Sequence, residues 1–82
     1  MFDFVENTFK DETNYRLTDN GIVAIMGVIK RYKLSRKELI EAVKIASSKG
    51  LEAEDTFKYV LGILHTQGRE KNIKYAENKH DY

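Results

Sequence analysis

The sequence contains no cysteine and no proline, and only five of its 82 residues are glycine. Without cysteine, the chain has no disulfide framework, no thiolate metal ligand and no thiol nucleophile. Its longest apolar runs fall well short of the ~20 residues that a membrane-spanning helix needs. Its first residues, Met1–Glu6, carry acidic side chains where a signal peptide would carry basic ones. We therefore expect a cytoplasmic protein with no membrane contact.

The remaining composition favours a single helical domain. Apolar residues make up 41% of the chain and charged residues 33%, which is typical of a globular protein. The lack of proline and the scarcity of glycine favour helices over turns and strands. No hairpin dipeptide separates two alternating apolar runs, so strand signals are weak.

Apolar residues recur at helical spacing in the first half of the chain. This pattern predicts a short amphipathic helix over about Phe2–Phe9, followed by a polar loop at Lys10–Arg16. Thr18 is a candidate N-cap for a second helix, which carries an apolar stripe as far as Tyr32. Gly27 lies inside that helix, where either a close helix–helix approach or chance would account for it.

The second half of the chain predicts two more helices. Ser35 and Glu38 have the spacing of a capping box, and Gly50 is expected to end the third helix in a left-handed conformation. Gly68 is expected to stop the last helix. The apolar face of that last helix is formed by Phe57, Val60, Leu61 and Leu64.

These segments predict a compact all-α bundle. It comprises three main helices, a short N-terminal helix and a partly ordered C-terminal segment. We expect residues 1–75 to form the domain and residues 76–82 to form a flexible tail, because the C-terminal residues are mostly polar.

The sequence shows no constellation of catalytic or metal-binding residues. His65 and His80 are the two histidines, and neither has a second ligand at metal-binding spacing on the same helix. No serine lies in a glycine-flanked elbow, and there is no phosphate-binding loop or dinucleotide fingerprint. We therefore expect no enzyme activity, no metal site and no cofactor.

The charges are unevenly distributed, although the net charge is only +1. One basic group contains no acid and comprises Lys30, Arg31, Lys33, Arg36 and Lys37. Basic side chains late in a helix complement its dipole, so a solvated surface is one interpretation. Contact with nucleic-acid phosphates is the other, and Tyr32 would then either stack on a base or cap the core. A second basic group, diluted by acidic residues, comprises Arg69, Lys71, Lys74 and Lys79.

A helix-turn-helix with its turn around Lys33-Leu34 is a further interpretation. It ranks low, because the third helix lacks the density of Asn, Gln and Arg that base readout requires.

The order of motifs resembles the DnaD-like domain of primosomal replication proteins. The matching segments are Leu17-Thr18, the Leu-Ser-x-x-x-Leu-Ile-x-Ala stretch at Leu34–Ala42, and Tyr59 with Ile63 four residues later. Gln67 stands where that family usually has tryptophan. The resemblance covers roughly Phe2–Ile73.

The resemblance implies a non-enzymatic replication module. Such a module binds single- or double-stranded DNA with little sequence specificity, self-associates, and supports primosome assembly and helicase loading with partners such as a helicase loader. Tyr59 and Ile63 carry over as contact residues, while glutamine lacks the stacking surface of an indole. The candidate DNA-binding set is Lys30, Arg31, Lys33, Arg36, Lys37, Tyr59, Ile63, Arg69, Lys71 and Lys74.

Two alternatives stay open at this point. Tyr59 and Ile63 have the spacing of residues that simply pack against a core. Alternatively, these residues and the N-terminal phenylalanines form an exposed apolar patch of a protein–protein adaptor, or of a self-association domain that does not contact DNA.

Overall fold

A computed structural model describes the backbone of residues 1–80 and the side chains of residues 1–71. It contains four α-helices, and residues 1–80 include no strand. The predicted all-α class is therefore confirmed. None of the helices in this part of the chain has the length and apolar character needed to cross a bilayer. The helices are α1 (Phe2–Thr13), α2 (Asp19–Tyr32), α3 (Arg36–Ser47) and α4 (Ala53–His80).

Helix α1 is one turn longer than predicted, so the loop expected at Lys10–Arg16 is wrong for its first four residues. Polar side chains on the solvent side do not end a helix. Thr13 also satisfies its hydroxyl within the helix by donating to the Phe9 carbonyl, at 2.6 Å. The helix ends at Asn14, whose backbone is left-handed with φ 64°.

Two side-chain caps form as predicted. The Thr18 hydroxyl accepts a hydrogen bond from the Gly21 amide at 3.1 Å at the start of α2. The Ser35 hydroxyl accepts one from the Glu38 amide at 3.2 Å at the start of α3. Each cap satisfies one backbone donor that the first helical turn would otherwise leave without a partner.

Left-handed residues make the tight turns between helices. Gly50 adopts φ 66°, as predicted, just after α3. Lys33 adopts φ 53° at the end of α2, and its amide donates to the carbonyls of Ile29 and Lys30. This turn is short enough to place the basic residues at the end of α2 beside those at the start of α3.

Contacts between neighbouring helices define the topology. The Arg36 guanidinium lies over the Phe4 ring, 4.8 Å from its centroid, and the Ser47 hydroxyl donates to the Glu12 carbonyl at 2.7 Å. Helices α1 and α3 are therefore parallel neighbours. Helix α3 runs antiparallel to α4, because Glu38 near its start pairs with Lys71 far along α4. Helix α2 packs against both α1 and α4, which closes the four-helix arrangement.

The core lies between the four helices, and each helix contributes side chains to it. Burying an aliphatic or aromatic side chain of this size contributes about 1.5–3 kcal/mol. The largest fully buried hydrophobic side chains are Phe9, Ile22, Ile25, Leu39, Leu64, Val5, Val43 and Val60. Thr56 is buried among them, and its hydroxyl donates to the Glu52 carbonyl at 2.8 Å.

Helix α4 continues through Gly68, so the prediction that this glycine stops the helix is wrong. Gly68 is buried, and a Cβ atom there would lie closer than 3.0 Å to three atoms of the Tyr32 ring. The absent side chain thus allows α2 and α4 to approach closely. Gly27 has open space around it, so no such approach explains that glycine.

The C-terminal predictions fall partly beyond what the structure describes. Helix α4 includes residues 76–80 of the predicted flexible tail, while residues 81–82 lie outside the described residues. The mobility of this tail stays a prediction.

Candidate nucleic-acid interface

The fold brings Lys71 of the second basic group against the first basic group, where the α2–α3 turn meets α4. The Lys71 ammonium donates to the Lys33 carbonyl at 3.0 Å, and it lies 3.5 Å from the Glu38 carboxylate. One lysine of α4 thereby joins the end of α2 to the start of α3. We call this surface the basic corner. We assign to it the seven exposed cationic side chains of the α2–α3 turn, of the adjoining helix ends and of the neighbouring turn of α4, which are those of Lys30, Arg31, Lys33, Arg36, Lys37, Arg69 and Lys71.

Tyr32 fixes the position of the basic corner on α4. Its ring meets the His65 ring edge-to-face, with centroids 5.7 Å apart and an interplanar angle of 85°. Its hydroxyl lies 3.3 Å from Nδ1 of His65, within hydrogen-bond distance. Only 8% of Tyr32 is exposed, so the residue caps the core and offers no stacking face to a base. His65 is accordingly a packing partner of Tyr32.

Two arginines of the corner lie against aromatic rings. The Arg31 guanidinium carbon is 5.4 Å from the Tyr32 centroid, and that of Arg36 is 4.8 Å from the Phe4 centroid. Contacts of this kind contribute about 0.5–1 kcal/mol at exposed sites. They restrict the two guanidinium groups while leaving them accessible, which reduces the entropy lost when an anion binds.

The positive charge of the corner has little local compensation. Among the side chains of residues 1–71, only Lys71 of the seven has a carboxylate within salt-bridge distance, that of Glu38. Lys30 and Arg31 occupy the last turn of α2, where they also complement the helix dipole. Clustered charge of one sign raises the local concentration of counter-ions of the opposite sign, so this surface suits a polyanion.

Tyr59 and Ile63 lie on a different surface, which we call the α4 groove. It has a volume of about 760 Å³ and is lined by Leu51, Asp55, Lys58, Tyr59, Gly62, Ile63, Thr66, Gln67 and Glu70. Tyr59 is 40% exposed, and the Lys49 ammonium lies 6.0 Å from its ring centroid. Ile63 is half-buried against the core. Packing against the core therefore explains the spacing of Ile63 in part, but it does not explain the exposed ring of Tyr59.

The α4 groove and the basic corner meet at Gln67. Tyr59 and Lys71 are twelve positions apart in α4, which is a rise of about 18 Å along a helix. Gln67 lines both the groove and a smaller depression of about 270 Å³ that includes Glu38 and Lys71. Its Oε1 atom is buried, and no partner for it occurs among the side chains of residues 1–71.

Sequence reasoning identified the basic residues but missed the contacts that assemble them. The Tyr32–Gly68 approach and the Lys71–Glu38 pair each join residues more than thirty positions apart. The sequence offered one signal for the first of these contacts, which is Gly68. This glycine lies inside α4 and does not adopt the left-handed conformation that ends a helix. The side chain of Lys74, the last member of the predicted set, lies outside the described residues.

Residues with described side chains include no group of three or more His, Asp or Glu side chains placed to hold a metal ion.

No protein-family model, curated protein or solved structure matches this chain at a significant level. The DnaD-like resemblance therefore depends on the sequence motifs alone. The class that the geometry of the described residues defines is a small four-helix bundle with a cationic corner and an adjoining apolar groove.

Proposed function

We propose that this chain is a DnaD-like replication module that binds DNA through the basic corner. The observation that carries the proposal is that the sequence-distant Lys71 lies against the basic group of the α2–α3 turn, which it joins through its contact with the Lys33 carbonyl. Such a surface neutralises several phosphates at once. Each neutralised phosphate releases counterions, which supplies most of the affinity in sequence-independent binding.

The chemistry of the corner favours phosphate contact over base readout. Four of its seven cationic residues are lysines, namely Lys30, Lys33, Lys37 and Lys71. Phosphate contacts from lysine position the nucleic acid but carry no sequence information. The buried ring of Tyr32 cannot stack on a base. We therefore expect similar affinity for oligonucleotides of different sequence.

The wider role that we propose is support of primosome assembly and helicase loading in the cytoplasm. Tyr59 and Ile63, the two residues that match the DnaD-like motif, line the α4 groove. In this account the corner holds DNA, and the groove is available to a primosomal protein such as a helicase loader. The two contacts would then be made simultaneously.

The second candidate function is a protein–protein adaptor that does not touch DNA. The 40% exposure of Tyr59 beside Ile63 in the α4 groove favours it, since large apolar side chains at the surface mark interaction sites when they are contiguous. This function uses only the groove and leaves the basic corner as a solvated surface.

Fluorescence anisotropy of labelled oligonucleotides separates the two functions. We expect the chain to bind single- and double-stranded DNA with Kd values on the order of 10⁻⁶–10⁻⁴ M, and more weakly as salt is raised. A peptide nucleic acid of the same sequence, which has no phosphates, is the matched control and should not bind. Absence of DNA binding at low salt, or equal binding to the uncharged control, would favour the adaptor.

A further inference from the structure

The capping box that the sequence predicts at the start of α3 is only half formed. The Ser35 hydroxyl accepts a hydrogen bond from the Glu38 amide at 3.2 Å, which is the first bond of such a box. The second bond would join the Ser35 amide to the Glu38 carboxylate. The described residues contain no such bond, and the carboxylate lies 3.5 Å from the Lys71 ammonium instead. Glu38 thus reaches across to α4 rather than back to its own helix.

The Lys71 ammonium has one neutral and one charged partner. It donates to the Lys33 carbonyl at 3.0 Å and faces the Glu38 carboxylate. The carbonyl anchors the ammonium but leaves its charge uncompensated, whereas the carboxylate compensates that charge. Carboxylate and phosphate oxygens are similar partners for a lysine, since both are ionised acceptors. A phosphate that binds Lys71 must therefore compete with Glu38.

The pair between Glu38 and Lys71 can be exchanged for other partners at little cost. Both side chains remain in contact with water, with 29% of Glu38 and 50% of Lys71 exposed, and ion pairs in such surroundings contribute little. The released carboxylate also has a second partner within reach, which is the Ser35 amide three residues before it. A negative charge at that position complements the dipole of α3. Glu38 therefore has two favourable arrangements, and only one of them occupies Lys71.

From the half-formed capping box and the Lys71 pair, we propose that Glu38 competes with nucleic-acid phosphate for Lys71 and thereby limits the affinity of the basic corner. Without DNA, the carboxylate pairs with Lys71. When a phosphate binds Lys71, the carboxylate returns to the Ser35 amide and completes the capping box. The inference rests on the proposed function, because it concerns the same surface.

Glu38→Gln tests the competition in the anisotropy titration, because glutamine also completes a capping box but carries no charge. It should tighten DNA binding about threefold at low salt, since an exposed ion pair is worth a factor of this order. Glu52→Gln is the matched control and makes the same change of net charge at an exposed residue just before α4 begins. Most of α4, or about 27 Å along a helix, separates that position from Lys71, so the control should change the affinity much less.

A double-mutant cycle with Lys71→Gln separates competition for Lys71 from general repulsion of DNA. In the Lys71→Gln background, Glu38→Gln should tighten binding no more than Glu52→Gln does, because the group that Glu38 occupies is gone. A gain that persists without Lys71 would overturn the proposal, since Glu38 would then repel DNA directly. Circular dichroism of each variant verifies that the helices are retained.

Amide hydrogen exchange of Ser35 tests the same rearrangement without DNA. In the Lys71→Gln variant, the released Glu38 carboxylate should accept the Ser35 amide, so that exchange of this amide slows relative to wild type. The neighbouring Arg36 amide gains no acceptor and is the internal reference, because it reports how the lost charge alone changes exchange. Equal changes at the two amides would overturn the proposal, whatever the affinity for DNA.

The DNA titrations also distinguish failure of this inference from failure of the proposed function. If wild type binds DNA but Glu38→Gln binds no more tightly than Glu52→Gln, the competition is overturned and the proposed function stands. If neither wild type nor any variant binds DNA at low salt, the proposed function fails and this inference fails with it.

Discussion

Replacing Gly68 with alanine is expected to lower the free energy of unfolding by about 2 kcal/mol, in the range of a typical overpacked core. The new methyl group would overlap the Tyr32 ring near its Cγ atom, which cannot swing away as the tip of a flexible side chain would. The alanine also favours the helix by up to ~1 kcal/mol, so the overlap must exceed that gain. In thermal unfolding, such a change lowers Tm by roughly 10 °C for a domain of this size.

Gly27→Ala is the matched control, because it makes the same substitution inside a helix with nothing within 4 Å of the new methyl group. It should raise the free energy of unfolding by about 0.5–1 kcal/mol. Combining Gly68→Ala with Tyr32→Ala should remove most of the added penalty, since the ring that the methyl group meets is gone. Equal effects of the two glycine substitutions would contradict the close approach of α2 and α4.

Neutralising four side chains of the basic corner should weaken DNA binding by on the order of 100-fold at low salt. The variant carries alanine at Lys30, Arg31, Lys33 and Lys37, and it retains the Lys71–Glu38 pair. The slope of log K against log salt should become shallower by about 0.7–0.9 for each phosphate that the variant no longer neutralises. The measurement is an anisotropy titration at several salt concentrations.

A second four-residue variant separates the corner from the overall charge. It replaces three exposed lysines and one exposed arginine elsewhere with alanine, at Lys10, Arg16, Lys44 and Lys49. Both variants lose four positive charges from a chain of net charge +1, so each has a net charge of −3. We expect the second variant to bind DNA nearly as well as wild type. If both variants bind equally weakly, net charge rather than the corner drives binding.

The helices were predictable because their signals are local. Thr18 and Ser35 cap α2 and α3 as expected, since a capping hydroxyl reaches an amide only three residues away. The end of α1 was missed because Asn14, rather than the polar run before it, takes the left-handed conformation. The role of Gly68 was predicted wrongly because a glycine can either end a helix or allow two helices to approach closely. Only the position of Tyr32 distinguishes these two roles.

The candidate site was predictable in composition but not in geometry. The basic residues from Lys30 to Lys37 are close in sequence and stay close in the fold. Their contact with Lys71 depends on how α4 lies against α2 and α3. The distance of Tyr59 from these basic residues depends on the same arrangement. That arrangement is set by core packing across the chain, which no short motif encodes.

Amide chemical-shift mapping is the most direct test of the claim that the basic corner holds DNA. A ¹⁵N-labelled chain would be titrated with a short single-stranded oligonucleotide and, separately, with a short duplex. The account predicts the largest shifts at residues 30–37 and 69–71, with small shifts along α1. Shifts confined to the residues that line the α4 groove, or spread evenly over the chain, would contradict it.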